Sequence, residues 1–388
     1  MTASPLFFCA RAYRLGIIAV HVQRRNCMLV FDGDYPMAYG ALELNRDLTR
    51  SLREVREAEE RPDNIPFACL PEMRSGRIAA ALVKFTVRQQ RRDSVLPGYR
   101  GAEAACAAAQ GQLAYYHTLE QCGEAALLLT RSELSAHMAL WEGAEDTAEL
   151  PVGFIVGMEG ADPILSPGQL EAWWDGGVRV VSLTHYGPST YAHGTGCEGG
   201  LMPQTADLLR EMSSLGILLD LTHIADESFW QAVDLYDGPV LASHQNCRTL
   251  VPGQRQFSDQ QLALLIERGG VIGASMDTWM LYDQPVLDWA RTGQFNRRDY
   301  FAREDISLEH VANHIDHVCQ LAGNTLHAAI GGDTDGQGGI AGAPIDVDSV
   351  TDYQKLGPIL ANRGYAEEDI ANVLYRNWQR FYEQHLPE

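Results

Sequence analysis

No CxxC pair and no zinc-ribbon spacing occurs among the eight cysteines, Cys9, Cys27, Cys69, Cys106, Cys122, Cys197, Cys247 and Cys319. Scattered cysteines in a chain of 388 residues read as reduced, mostly buried thiols of a cytoplasmic protein, with disulfides reserved for the case of export. Basic charge is scarce as well: 30 Lys+Arg face 51 Asp+Glu, a formal net charge of -21. Such a surface repels phosphate backbones and anionic lipid, so neither nucleic acid nor a membrane is an expected partner. Long hydrophobic runs are missing too. In PLFFCARAYRLGIIAVHV (5–22) the apolar residues are interrupted by Arg11, Arg14 and His21, which breaks a signal-peptide core, and no run reaches the roughly 18 apolar residues of a membrane span. Residues 1–27 read as a poorly ordered extension, with Met28 as an alternative start and a short amphipathic anchor as the rival reading. Residues 28–388 read as one domain. No repeat, low-complexity tract or linker divides it.

What is present from Met28 onward is an alternation of short apolar β-type runs with longer helix-type segments, the mark of βα units around a parallel sheet. Eight strands are expected: Met28–Asp34, Ile78–Thr86, Val152–Met158, Val178–His185, Gly216–His223, Pro239–Asn246, Gly270–Asp277 and His327–Asp333. Runs such as IAAALVKF, GFIVGM, GILLDL and GGVIGAS are nearly continuous in apolar residues, as strands buried on both faces should be. Helical patterns at 206–216, 259–270 and 308–323 each end in Gly, the preferred residue just past a helix C-terminus. The Ala-rich segment 87–150 exceeds one crossover and is expected to be helical decoration. Residues 367–384 look like a closing amphipathic helix. The expected fold is a (β/α)8 TIM barrel with extra helical segments.

Ligand-type residues recur at the C-terminal ends of these strands. The first ends in Asp32–Gly33–Asp34, the third runs into Glu159, and the next three end at His185, His223 and His244; the last carries Asp333 and Asp335. In a barrel these ends meet at one mouth, where barrel enzymes do their chemistry. Two histidines and a carboxylate make a first set of ligands for zinc or a similar divalent ion. Each has a bland reading. A lone strand-end His is more often a hydrogen-bonded, half-buried residue, and Asp333 in IGGDTDG can simply cap a turn. Glu159 is harder to dismiss, because a carboxylate after an apolar strand needs a cation or hydrogen bonds to receive it.

The same residues carry a family resemblance. EGGLMPQTADLLREMSSLGILLDLTH (198–223), GMEGA (157–161), RVVSLTH (179–185), PVLASH (239–244) and HAAIGGDTDG (327–336) stand in the order of the motifs of the membrane (renal) dipeptidases, and the similarity covers roughly residues 28–384. The resemblance implies a metal-dependent hydrolase that cleaves dipeptides by metal-activated water, with a homodimer as a further possibility of assembly. It implies metal ligation by Glu159, His223 and His244, substrate binding and oxyanion stabilisation by His185, and proton transfer by Asp333. Arg255, eleven residues beyond His244, matches the Arg that holds the substrate carboxylate.

One stretch departs from the pattern. Where the family reads Asp-Gly-His-x-Asp, this chain reads FDGDYPM, with Asp34 at the His position and Pro36 at the second Asp. Either Asp34 alone, or Asp32 with Asp34 in a shifted register, supplies oxygen ligands, or the second metal site is weak or absent. Asn45, Arg46 and Asp47 are polar enough to reach a mouth, but nothing places them there. One firm zinc site is the expectation. Two other functions compete: an amidohydrolase acting on N-acyl amino acids, lactams or modified peptides, and a catalytically silent barrel that serves as a binding protein.

Overall fold

In the computed structural model, residues 27–91, 96–282, 301–336 and 338–388 are described; the extension expected at 1–27 therefore lies, except for Cys27, outside the described residues. Among the described residues nine strands form: β1 Val30–Tyr35, β2 Ile78–Thr86, β3 Ala125–Leu127, β4 Val152–Glu159, β5 Val178–Ser182, β6 Leu218–Asp220, β7 Val240–Leu241, β8 Ile272–Ala274 and β9 Ala328–Ile330. All pair in parallel, in the order β1-β2-β4-β5-β6-β7. A bridge from Ala242 to Ile272 joins β7 to the β8–β9 pair. The Thr334 N–H donates to the Asp34 carbonyl at 3.0 Å and closes the ring from β9 back to β1. The eight expected strands make the barrel; β3 is the additional one, flanking the start of β4 through Ala125–Val152 pairing.

Most strands are shorter than their apolar patterns. The β5 ladder stops at Ser182, β6 at Asp220 and β7 at Leu241, before His185, His223 and His244. The chain turns away from the ladder there, and the turn aims the polar side chains at the mouth. Helices Thr205–Leu215 and Leu308–Ala322 stop at Gly216 (φ +73) and Gly323 (φ +68), left-handed positions that glycine takes without Cβ strain. Segment 87–150 holds the helices Ala102–Gln121 and Arg131–Gly143 with β3 between them, so it is less purely helical than expected.

The tail closes the seam between β9 and β1. In helix Asn377–His385, Trp378 and Tyr382 are fully buried. The Trp378 indole donates to the Ile330 carbonyl at 2.8 Å, and the Tyr382 ring stacks on Phe31 at 5.5 Å. Gly33 fits where β1, β7 and this helix meet. A Cβ there would lie 2.6 Å from the Ser243 carbonyl oxygen and 2.8 Å from the Trp378 ring, so the glycine between Asp32 and Asp34 is set by packing at a narrow waist. One apolar cluster runs from Leu29 to Leu386. Buried Cys69, Cys106, Cys247 and Cys319 carry no disulfide. Among the described residues, no helix is long and apolar enough to cross a membrane.

Candidate metal centre and active site

The strand ends deliver three ligand atoms to one place. Nε2 of His223 and Nε2 of His244 are 3.0 Å apart, and Oε1 of Glu159 lies 3.5 Å from the first and 3.4 Å from the second. Tetrahedral zinc with bonds of about 2.0–2.1 Å spaces its ligands about 3.3 Å apart. The triangle therefore has the dimensions of a divalent-ion site, and all three residues are buried.

Neighbouring groups turn these atoms inward. The Ser243 hydroxyl has one hydrogen, which goes to Asp220 Oδ2 at 2.7 Å; towards His244 Nδ1, 2.9 Å away, it acts as an acceptor. Nδ1 therefore carries the proton, and Nε2 is left bare to ligate. The Thr195 hydroxyl stands 2.9 Å from His223 Nδ1 in the same role. Thr86 donates to Glu159 Oε2 at 2.8 Å. His223 has φ +70 and Asp333 φ +58, left-handed backbone that costs a non-glycine residue of order 1–3 kcal/mol and tends to gather at functional sites.

Charge states follow from burial and neighbours. Burial would raise Glu159, but His185, Lys84 and His244 outweigh it and hold its carboxyl down at about 2. Burial, reinforced by the positive charge of Arg255, pushes His223 well below the ordinary histidine value. Burial also lowers His185 to about 3, with Arg88 assisting against Glu159, so His185 is a neutral imidazole near pH 7. His244 goes the other way: burial disfavours its charge, yet Asp34 Oδ1, 3.3 Å from Nδ1, raises it. Burial pushes Asp333 up to about 7, with Asp277 and Asp34 adding to the rise against His244, and a carboxyl near 7 can both take and return a proton at neutral pH.

A cavity of about 690 Å³ opens above the triangle and is lined in part by Glu159, His185, His223, His244 and Asp333. Tyr186 packs edge-on against His185 and His223, at 4.7 and 4.8 Å between rings. His185 Nε2 lies 3.8 Å from Glu159 Oε2. The expected residues Glu159, His185, His223, His244 and Asp333 are thus brought together. Asp34 joins a second ligand-type group with His244 and Asp333. Asp32 does not reach either group; its carboxylate accepts from the Asp34 N–H at 3.1 Å and from the Thr334 hydroxyl, tying β1 to the loop that carries Asp333. Arg255 does not line the cavity. It is buried behind His244, donating to Gln245 Oε1 at 3.0 Å and to the His244 carbonyl at 2.9 Å, with Nε unpartnered. Arg46 turns from the mouth to Glu59, at 2.8 Å, and to Asp335.

Three contributors escape a reading of the sequence. Lys84 and Asp220 are fully buried in strands and paired at 2.8 Å, although each sits in a run that reads as plain apolar core. Arg88 lines the cavity, and its Nη1 is buried without a partner. Only its position two residues past β2, at a strand C-terminus, could have signalled it.

A model of the membrane dipeptidase family (peptidase family M19) matches residues 29–386. An uncharacterized dipeptidase of Schizosaccharomyces pombe is 28% identical over 236 residues, 60% of this chain and 53% of that protein. A dipeptidase of Claviceps purpurea is 28% identical over 208 residues, 52% of this chain and 43% of that one. The matches to this chain thus span about half the length of these curated relatives. Among solved structures, a metallo peptidase from Rhodobacter sphaeroides, liganded with a phosphinate mimic of the dipeptide L-Ala-D-Ala, superposes with a TM-score of 0.72 at 23% identity. That match covers 93% of this chain and 100% of the other, and is a likeness of fold.

Proposed function

Because the chain belongs to the membrane dipeptidase family, peptidase family M19, we propose that it is a metallo-dipeptidase of that type, a single barrel domain over residues 28–388 that hydrolyses the amide bond of dipeptides or dipeptide-like small molecules. The observation that carries this reading is the buried triangle of Glu159, His223 and His244, with edges of 3.0 to 3.5 Å. Zinc is the ion we assign to it, from the two-imidazole, one-carboxylate donor set. A divalent cation there supplies a Lewis acid that acidifies water and polarises a carbonyl.

The chain's own residues do the rest. His185, held neutral by burial, donates an N–H to the oxygen of the scissile carbonyl as negative charge develops on it, a role typically worth about 3 kcal/mol. Asp333 takes a proton from the attacking water and delivers it to the leaving amine. Arg88, which lines the cavity and keeps an unpartnered buried Nη1, receives the substrate's carboxylate, and Arg255, buried behind His244, adds its positive charge to the binding of that group; a long peptide lacks that charge at the right place. Tyr186 walls the imidazoles and restricts water. The reduced, buried thiols fit a cytoplasmic setting.

The direct test is to purify the protein without chelator, measure its bound metal, and assay a panel of dipeptides. We expect stoichiometric metal and chelator-sensitive hydrolysis. His223→Ala should lose the metal and at least about a thousandfold in kcat/KM, the scale of removing a central catalytic electrophile. Full activity in His223→Ala would end the proposal.

A further inference from the structure

We infer that the ammonium of Lys84 stands where a second metal ion would bind, so that the chain carries one divalent ion with a built-in cation beside it. The inference rests on the reading of Glu159, His223 and His244 as a metal centre and concerns what lies next to it.

Lys84 is one of only two lysines in the chain, the other being Lys355. Lys355 is an exposed side chain in a surface ion pair, whereas Lys84 has no exposed area at all. It occupies an inward position of β2, two residues before Thr86, whose hydroxyl also points inward to Glu159. Its Nζ lies 2.8 Å from Asp34 Oδ1, 2.8 Å from Asp220 Oδ2 and 3.6 Å from Glu159 Oε1, and it donates to Ser243 Oγ at 2.7 Å. An ammonium has three hydrogens. Two of them go to Asp220 and Ser243, and Asp34 stands against the ammonium as an ion pair at 2.8 Å, so polar partners face it on three sides.

Two consequences follow. The second ligand-type group, Asp34, His244 and Asp333, shares His244 with the first and depends on Asp34. Asp34 is the carboxylate that Lys84 holds, so an ion bound there would lie against a like charge in a dry interior, where repulsion is little screened. The charge count points the same way. One ammonium facing Asp34, Asp220 and Glu159 leaves a surplus of two negative charges; one divalent ion cancels it, and two would overshoot. On the strand-one side Pro36, whose side chain cannot ligate, borders the cavity. Lys84 thus does the electrostatic part of a second ion's work, setting a positive charge against Asp34 and Glu159 at 2.8 and 3.6 Å. Fully buried and outside the lining of the cavity, it offers no open position to a substrate. It is a positioning residue, and the single ion is the only Lewis acid in the mouth.

The test is a count of ions. Metal-free protein is titrated with Zn2+ or Mn2+, bound metal is measured by mass spectrometry, and Mn2+ is examined by electron paramagnetic resonance. Wild type should take up one ion per chain, with the spectrum of an isolated Mn2+. Lys84→Ser and Lys84→Gln should each take up a second ion, and two Mn2+ a few ångströms apart would show exchange coupling. Two ions per wild-type chain, with hydrolysis intact, would overturn the role of Lys84 and leave the dipeptidase reading standing. One ion in a folded Lys84→Ser or Lys84→Gln chain would also overturn it. No ion in wild type would bring down both readings together. If neither variant folds, the wild-type count still decides.

Discussion

The two halves of the barrel mouth solve the same electrostatic problem differently. On the β4–β7 side, Glu159, His223 and His244 present bare ligand atoms 3.0 to 3.5 Å apart and leave a divalent ion to satisfy them. On the β1–β2 side, Lys84 of β2 already sets its positive charge 2.8 Å from Asp34 of β1, and it donates across the barrel to Asp220 of β6 at 2.8 Å. A buried carboxylate needs a cation or donors in either case. On the function proposed above, one half takes its cation from solution, while the other carries it on the chain. The contrast teaches that ligand-type residues grouped in space do not by themselves make a metal site; what matters is whether their charge is still unspent.

Asp333 straddles the two halves, and its variant should give the largest effect. Asp333→Asn is expected to lower kcat by about 10²–10⁴, the usual range for loss of a general acid–base, while metal content stays at the wild-type value. If the metal were lost with it, Asp333 would be a ligand and the division between halves would fail. The guanidiniums come next. Arg88→Ala should raise KM for dipeptides by about 10- to 100-fold, as expected for loss of a charge-assisted contact, Arg255→Ala should raise it less because its charge acts from behind His244, and both should matter far less for substrates with an amidated C-terminus. An unchanged KM in either variant removes that residue from the carboxylate site. Arg255→Ala carries a second signature: because Arg255 donates to the His244 carbonyl, it should also weaken metal binding, whereas Arg88→Ala should not.

The smallest effect is in pH. Glu159 is held at about 2 and His223 is pushed far down, so both are ready to ligate at neutral pH. His244 alone is raised, so a proton competes with the ion there. As pH falls through and below the ordinary histidine range, metal affinity should fall by about tenfold per unit, the slope of one proton. A calorimetric titration across pH 5 to 8 checks it; a slope of two protons would put a second titrating ligand in the site, and no slope would mean that Asp34 does not raise His244.

Much of this was legible in the chain. Strands buried on both faces are apolar almost throughout, and each strand C-terminus in a closed parallel barrel faces the same mouth. A polar residue at the end of such a run was therefore a site candidate before any coordinates, which is how Glu159, His185, His223, His244 and Asp333 were found. Lys84 and Asp220 were not. One charged residue inside IAAALVKF or GILLDL carries no local signal, and Asp220 is 136 residues away from Lys84 along the chain. The strand β3 was missed for a related reason: three residues, Ala125–Leu127, are too few to set a period of two against a helical background.

The sequence alone therefore determined the barrel, the order of its strands and which residues are candidates for metal ligation, because hydrophobic period and strand-end position are local and repeat eight times. Only the tertiary structure decided which acidic residues keep an unspent charge, since a buried carboxylate's partner is chosen by the closure of the barrel and comes from a distant strand. That choice separates Asp34, spoken for by Lys84, from Glu159, which faces two bare imidazole nitrogens.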